Sequence, residues 1–346
     1  MNVYSATQAI SPAIERTKNY LFRPFKWRTY LKLSLVACLT EGGSAGFNAN
    51  IPSGNNTSPS FSSFPSFDLS SEIIALIVIG VLVCIAIGIY LSYLICRLRF
   101  AYFHCLAHQI KEIRPGWRLY RTQGMRYFIA SLIIGLITLF VLVLVALPFV
   151  LGFYMLYQSS QAGESYNVGG FVLLILLCIF TVICFGLAAY AVNAGMRDFI
   201  LPHMALENKS FLEAWEAVKP RIKADKGSFA MYLLMRLLVP MAAYIAQIIA
   251  MIIPLLIVIG ILVLIGVGIY SLFEGATGVI EFIGIFMEVV LGLIGLAFVL
   301  LLGVGLGGPI ATWIRNYALL FYGGRYQALG DLLYPPSPLP PTPGTY

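Results

Sequence analysis

Long apolar runs constrain the fold of this chain more than any other feature. A helix needs about 20 apolar residues to cross a hydrocarbon layer of about 30 Å. Five uninterrupted runs exceed that length, at residues 73–95, 127–157, 168–196, 229–273 and 282–311. Membrane-spanning strands would alternate polar and apolar residues, whereas these runs are apolar on every face. The pattern therefore predicts membrane-spanning helices.

A sixth, weaker run covers residues 27–47, where Lys32 and Glu41 interrupt the apolar residues. Over the whole chain of 346 residues, 60% are apolar and only 11% are charged. A soluble domain carries roughly a quarter charged residues, so a soluble enzyme is excluded as a first interpretation. Disorder is excluded too, because it needs low hydrophobicity.

The run at 229–273 decides the topology, because its 45 residues would form a straight helix of about 68 Å. It must tilt, begin as an interfacial helix, or break, and Pro240 and Pro254 are the natural positions for a break. The alternatives are a single crossing and a hairpin at Pro254.

The distribution of cations favours a single crossing. With six spans, all 22 Lys and Arg residues fall on one side, and the opposite loops at 48–71, 158–167 and 274–281 contain none. Cytoplasmic loops are the ones enriched in Lys and Arg. The predicted fold is therefore an all-α polytopic helical membrane bundle with six transmembrane helices, interfacial amphipathic helices and both termini in the cytoplasm.

The net charge of +7 accordingly describes a basic cytoplasmic face. Such a face is attracted to anionic lipid headgroups. Topology alone explains this basicity and is the preferred interpretation. A dedicated site for lipid headgroups or for a partner is the more specific alternative. Its candidate residues are Arg97, Arg99, Arg118, Arg121, Arg197 and Arg221.

The predicted organisation has three parts. Residues 1–26 form a cytoplasmic interfacial segment, in which Ser11 is expected to cap a short surface helix. Residues 27–322 form the six-span domain, and residues 323–346 form a Pro-rich cytoplasmic tail. A second interfacial helix, capped by Ser210, is expected between the fourth and fifth spans.

Two glycine patterns resemble catalytic or cofactor motifs. Residues 42–46 read Gly-Gly-Ser-Ala-Gly, and residues 303–308 match Gly-x-Gly-x-x-Gly. Both motifs need strands of an α/β fold, whereas here they lie in helical spans, where small residues permit close helix contact. No catalytic residues and no cofactor are therefore predicted, and an enzyme is not the favoured interpretation.

The three histidines lie on the basic side. His104, His108 and Glu112 would share a helix face at four-residue steps, a spacing that suits a metal ion. Solvated interfacial side chains are the preferred interpretation, and no metal is predicted. His203 belongs to a weak internal repeat, in which Arg197, His203 and Trp215 follow the order of Arg97, His104 and Trp117.

Two acids, Glu41 and Glu288, lie inside predicted spans. Ionisable groups in a membrane are costly and usually face a partner or a wet cavity. In the six-span topology no Lys or Arg occurs in the outer half to pair with them. They are expected to be hydrated, hydrogen-bonded, protonated or bound to a cation, and a proton or cation path is one alternative.

Three stretches carry a family resemblance. They are RTKNYLFRPFKWRTYLKLSLVACLTEGG, RDFILPHMALENKSFLEAW and GGPIATWIRNYALLFYGG. They resemble an uncharacterised prokaryotic family of six-helix membrane proteins, a domain of unknown function. They are also similar, more distantly, to the membrane domain that precedes some glycerophosphodiester phosphodiesterases. The resemblance implies a multi-pass cell-membrane protein, and no phosphodiesterase chemistry carries over.

These observations predict a non-enzymatic protein of the cell (inner) membrane. It would be an accessory or scaffolding subunit of a membrane complex, or a lipid-interacting organiser. Membrane lipids are the expected partners, with other subunits of a complex as a further expectation and no nucleic acid. The alternatives are a transporter or permease-like protein that uses Glu41 and Glu288, and a membrane-embedded enzyme.

Overall fold

The computed structural model describes residues 4–41, 71–161, 168–275 and 277–334, and every regular element in them is helical. The helices are α1 Ile10–Phe22, α2 Trp27–Glu41, α3 Ser71–Ala107, α4 Arg114–Leu119, α5 Arg121–Gln161, α6 Val168–Gly195, a π-helical turn Met196–Ile200, α7 Leu201–Leu206, α8 Phe211–Ala224, α9 Lys226–Phe273, α10 Val279–Gly323 and α11 Gln327–Leu333. The predicted all-α fold is confirmed. Some predicted features lie outside the described residues. They are the glycine pattern at 42–46, residues 48–70 of the first predicted outer loop, and residues 335–346 of the predicted tail.

Within the described residues, five helical stretches are long and apolar enough to cross a membrane, at 75–107, 121–159, 168–206, 226–273 and 279–323. They contain four of the five predicted apolar runs and all but the first two residues of the run at 73–95. The longest, α9, continues through both Pro240 and Pro254 as a single helix. The hairpin alternative at Pro254 is therefore wrong.

The sixth predicted span is not confirmed. α2 has 15 residues, which corresponds to about 22 Å of helix and falls short of a hydrocarbon layer of about 30 Å. Its described part ends at Glu41, and residues 42–47 of the predicted span lie outside the described residues.

The chain divides into two compact units. The first comprises residues 1–42, 102–113 and 218–346. The two longest helices of this unit, α9 and α10, pack against each other as an antiparallel pair. Aromatic rings hold one end of this pair, where Tyr232 stacks on Phe321 with 4.3 Å between ring centroids. Toward the other end, Gly295 and Gly284 allow close approach, since a Cβ at these positions would lie 2.6 Å from Leu262 and 2.9 Å from Phe273.

α1 and α2 also belong to the first unit and pack against the C-terminal half of α10. The predicted helix after Ser11 is present, but it begins at Ile10, and Ala9 precedes it without a side-chain cap. Trp313 Nε1 donates to the Ile10 carbonyl at 3.4 Å, and the Tyr317 hydroxyl donates to the Ala6 carbonyl at 2.9 Å. Protein therefore covers part of α1, which was expected to lie on the membrane surface.

The second unit comprises residues 43–101 and 114–217. In it, the Tyr93 and Phe128 rings meet edge to face with centroids 5.8 Å apart, which brings α3 against α5. The expected cap of α8 is confirmed: the Ser210 amide donates to Glu213 at 2.9 Å, and the Glu213 amide donates back to the Ser210 hydroxyl at 3.4 Å. This reciprocal pattern is a capping box.

Exposure separates two kinds of helical surface. Long stretches of α3, α5, α6, α9 and α10 expose large apolar side chains, whereas polar residues such as Thr312, Asn316 and Ser34 are fully buried. An exposed apolar surface of this extent belongs in hydrocarbon rather than in water. The structure therefore supports a membrane protein whose polar interactions are concentrated where its helices pack together.

Candidate functional site

A buried charge cluster, which we call the Glu41 cluster, lies in the first unit and comprises Glu41, Arg236 and Arg315. The Arg236 guanidinium donates to Glu41 Oε2 at 3.0 Å. Arg315 Nε lies 3.9 Å from Glu41 Oε1. All three side chains are at most 3% exposed. The cluster joins α2 to α9 and α10 through charge-assisted contacts, which are the stronger class of hydrogen bond.

Polar groups surround this cluster. The Tyr102 hydroxyl donates to the Thr312 hydroxyl at 2.7 Å. The Thr312 hydroxyl in turn donates to the Gly308 carbonyl at 2.7 Å. The Asn316 amide donates to Thr17 Oγ1 at 2.9 Å. The Arg315 guanidinium lies over the Phe103 ring, 5.9 Å from its centroid. Helices α1, α3 and α10 thus all contribute polar groups to one buried region of the first unit.

The expectation that Glu41 has no cationic partner is wrong. It assumed that α2 runs outward with Glu41 in the outer half of the membrane. Instead, Ser34 packs against Gly308 and Glu41 lies beside Arg315, so α2 packs on the C-terminal half of α10. Chemically, the contacts of Glu41 with two guanidiniums suit a structural tie better than a binding site for a proton or cation.

Glu288 occupies a different environment. It lines a cleft of about 490 Å³ between α9 and α10, together with apolar and small residues that include Gly266, Leu291 and Gly292. Tyr270 also lines this cleft. The sequence between Arg236 and Arg315 contains no Lys, Arg or His. Of the two predicted intramembrane acids, Glu288 is therefore the one that retains an apolar setting.

The histidine pair is adjacent, but the predicted three-residue face is not formed. The His104 and His108 ring centroids are 4.4 Å apart. α3 ends at Ala107, and Gln109 adopts a left-handed conformation with φ 56°, so Glu112 does not continue the helix. Among the residues the structure describes, no group of three His, Cys, Asp or Glu side chains is placed to hold a metal ion.

Charged residues are also buried in the second unit, at the π-helical turn. Arg197 Nε lies 3.7 Å from the Asp198 carboxylate, and both side chains are almost fully buried. His203 is buried on α7, with Nδ1 3.3 Å from Glu207, which in turn contacts Lys209 at 2.6 Å. Single π-turns inside α-helices occur frequently at functional sites. Because its side chain is only 2% exposed, Arg197 is not part of an open basic face.

The other predicted basic residues differ in their surroundings. The Arg97 guanidinium lies 4.2 Å from the centre of the Trp117 ring and donates to the Trp117 carbonyl at 2.8 Å. Arg221 lies over the Tyr326 ring at 5.3 Å, and Arg99 is half-buried on α3. Arg118 and Arg121 are exposed, so these two retain the accessibility that contact with a lipid headgroup requires.

The glycine pattern at 303–308 has a packing role at one position. A Cβ on Gly308 would lie 2.1 Å from the Ser34 Cβ, whereas Gly303 and Gly305 have no neighbour within 4 Å of such an atom. This confirms close helix contact at Gly308 only. The motif lies inside α10, and the strand that the dinucleotide fingerprint requires does not precede it there.

The two arginines of the Glu41 cluster were not predicted as site residues from the sequence, because Arg236 and Arg315 were assigned to the basic side by their charge alone. Tyr102 and Thr312, which lie near the cluster, were not predicted either. A cation one or more turns inside an apolar helix was the available signal, because such a residue needs a partner. Pairing it with Glu41 required the path of α2.

Comparison with known proteins adds one match. Residues 4–332 match the family of unknown function DUF7544. The chain belongs to this family. The expected resemblance to a domain of unknown function is thus confirmed, whereas no match supports the more distant similarity to glycerophosphodiester phosphodiesterases. No curated protein and no solved structure matches the chain.

Proposed function

We propose that this chain is a non-catalytic, multi-pass protein of the cell (inner) membrane that organises lipids or serves as an accessory subunit of a membrane complex. The observation that carries this proposal is the pairing of exposed apolar helices with cations at their ends. α3, α5 and α6 expose apolar side chains along their lengths, and exposed arginines such as Arg118 and Arg121 lie where α3 leads into α5. Such a surface contacts acyl chains and anionic headgroups together.

The packing of the first unit supports an orientation with both termini in the cytoplasm. Arg325 Nη1 donates to the Tyr4 carbonyl at 3.1 Å, and Trp313 reaches Ile10. Tyr4 and Arg325 therefore lie on the same side. Among the described residues, five long apolar helices lie between them, and an odd number of crossings would separate them. We therefore infer an even number of crossings, as in the predicted arrangement of six spans.

Lipid analysis tests the proposed function. The full-length protein, isolated from membranes in a mild detergent, is expected to retain phospholipids or to co-purify with the same protein subunits in repeated preparations. Native mass spectrometry of the complex, with extraction of its lipids, measures both. Repeated recovery as an isolated monomer with no bound lipid would contradict the proposal.

Topology has its own experiment. Reporter fusions placed after Arg118 and after Arg221 are expected to report a cytoplasmic location, because cytoplasmic loops are enriched in Lys and Arg. An extracytoplasmic signal at either position would remove the six-crossing arrangement and the cytoplasmic basic face with it.

A second candidate function is supported by the Glu288 cleft. A carboxyl group in an apolar cleft of a membrane helix pair is typical of a proton or cation path, so a transporter or permease-like activity is the alternative. Its test is coupled flux in proteoliposomes that contain the full chain. Substituting Glu288→Gln should abolish proton- or cation-coupled uptake, and unchanged flux in both Glu288→Gln and Glu41→Gln would remove this candidate.

A further inference from the structure

A groove of about 630 Å³ lies between α3 and α5 in the second unit. From α3, Ala86, Ile89 and Tyr90 line it, and from α5, Arg121, Thr122 and Met125 line it. Most of this lining is apolar, and Arg121 supplies its charge. The groove therefore combines an apolar channel with one cationic group.

The charge and the apolar channel lie at opposite ends. Tyr93 and Phe128 meet with ring centroids 5.8 Å apart and line the same groove. Arg97 packs against Gly124, so later residues of α3 meet earlier residues of α5 at this contact. Ala86 lies seven residues before Tyr93 on α3, and Arg121 lies seven residues before Phe128 on α5, each about 10 Å from the aromatic contact along its own helix. The groove is thus polar toward Arg121 and apolar toward Ala86.

The polar end is accessible. Arg121 and Thr122 are exposed, and Arg118 and Arg126 lie near them in the chain and are exposed as well. Arg97, by contrast, is engaged with the Trp117 ring and carbonyl. An exposed guanidinium beside a hydroxyl offers the donors that a phosphate oxygen accepts, and guanidinium–phosphate pairs are frequently bidentate.

The geometry points to a binding site for one anionic phospholipid, with its phosphate at Arg121 and Thr122 and an acyl chain along Tyr90, Ile89 and Ala86. This inference rests on the proposed function and names the lipid class and the residues that select it. The apolar end lies among exposed residues of α3 such as Ile87 and Leu91, which belong in hydrocarbon. A lipid already in the bilayer reaches that end, whereas a soluble ligand does not.

Competition between two lipids tests the site. The full-length protein, isolated in a mild detergent, is mixed with equal amounts of phosphatidylglycerol and phosphatidylcholine that carry the same acyl chains. Native mass spectrometry then counts the lipids retained on each protein. We expect preferential retention of phosphatidylglycerol, and we expect its occupancy to fall about fivefold in Arg121→Gln, since a cation near a membrane surface contributes about that factor.

Two matched pairs of variants locate the effect. Arg118→Gln removes the same charge outside the groove lining and should retain the lipid. Ala86→Phe fills the apolar end without changing the charge and should lower lipid retention. Leu91→Phe adds an aromatic ring on the same helix at a position outside the lining and should not lower it.

The outcomes separate this inference from the proposed function. Equal losses in Arg121→Gln and Arg118→Gln would overturn the site and indicate general attraction to a basic surface. Retention of phosphatidylcholine equal to that of phosphatidylglycerol, lost in Ala86→Phe, would overturn the anionic class. Retention of phosphatidylglycerol unchanged in all four variants would overturn the groove while leaving lipid binding intact. Absence of any bound lipid in the unmodified protein would contradict the proposed function as well.

Discussion

The two ends of the α9–α10 pair have opposite surroundings. At the end that contains Arg236 and Arg315, helices α1 and α2 pack on α10, and charged and polar side chains are buried. At the end that contains Glu288, the apolar residues of both helices are exposed, with Leu264 at 76% and Leu272 at 80%. The same pair of helices is thus a protein core at one end and a lipid-facing surface at the other.

This difference gives two glutamates in apolar helical sequence different surroundings. Glu41 lies where other helices supply two guanidiniums, so its charge is compensated by protein. Glu288 lies in a cleft whose lining is otherwise apolar apart from the Tyr270 hydroxyl. A charge inside a membrane protein is tolerated when packing provides a partner, and otherwise points to function.

The largest expected effect comes from Glu41→Gln. Removing the carboxylate breaks the buried contacts that Glu41 makes with Arg236 and Arg315, and breaking a buried ion pair in this way costs about 3–5 kcal/mol. Thermal unfolding of the full-length protein in detergent measures the loss. Glu288→Gln is the matched control and should change stability by no more than about 0.5 kcal/mol. Equal losses of stability in the two variants would contradict the proposed difference between the two ends of the α9–α10 pair.

Gly308→Ala should have the next largest effect. Its Cβ would lie 2.1 Å from the Ser34 Cβ and 2.5 Å from the Ser34 Cα, which is backbone. The two helices must move apart, and overpacking of this kind typically costs about 1–3 kcal/mol. At Gly303 a Cβ meets no atom within 4 Å, so Gly303→Ala should stabilise the helix by up to about 1 kcal/mol. Thermal unfolding of the two variants measures both changes in stability. A loss for Gly308→Ala together with a gain for Gly303→Ala would support the packing of α2 against Gly308.

Tyr102→Phe tests the buried polar region near the Glu41 cluster. It removes the 2.7 Å hydrogen bond with Thr312 and should lower the free energy of unfolding by about 1 kcal/mol, the usual net value of one hydrogen bond. Tyr270→Phe changes the same group at the exposed end, where Tyr270 is 62% exposed, and should have no measurable effect. A larger loss from Tyr270→Phe would reverse the assignment of core and surface.

The smallest effect is expected at Asp225, which caps α9 and pairs with Arg325 at 3.2 Å, with 46% of its side chain exposed. Hydrogen bonding with Ser228, followed by the Arg325 guanidinium, lowers the pKa of Asp225. Because the folded pKa lies below the unfolded value, the carboxylate stabilises the fold above that value, and its contribution disappears as the pH falls through the folded pKa.

The pH dependence of the melting temperature, taken from neutral to acidic pH, measures this contribution. Asp225→Asn should remove a small part of the acid destabilisation and leave the rest. A loss of stability in Asp225→Asn as large as that in Glu41→Gln would contradict the view that exposed pairs contribute little.

The long helices could be predicted because hydrophobicity and length act locally. Residues 229–273 were identified as one apolar run, and α9 covers them as a single helix even though two prolines favour a break. Neighbouring packing and local adjustment tolerate proline in membrane helices. The bounds were less predictable: α3 extends twelve residues past Ile95 to Ala107, where charged and aromatic residues continue the helix inside a protein core.

The candidate sites were predictable only in part. Glu288 and Arg121 were identified from the cost of an intramembrane acid and from the basic side, respectively. The Glu41 cluster was not predicted, because Arg236 lies 195 positions and Arg315 lies 274 positions from Glu41 in the chain. Residue type alone does not determine such long-range contacts. The predicted His104–Glu112 face failed because a left-handed residue at Gln109 ends the turn.

The sequence by itself determined that the chain is helical, that it belongs in a membrane and that three of the segments between its apolar runs contain no Lys or Arg, since each follows from local hydrophobicity and charge. Only the tertiary structure decided that α2 packs along α10, that Glu41 is neutralised by two arginines and that α3 and α5 leave a groove ending at Arg121. The physical reason is that the surrounding residues determine what a charged group or a cavity can do, and those residues are far apart in the chain.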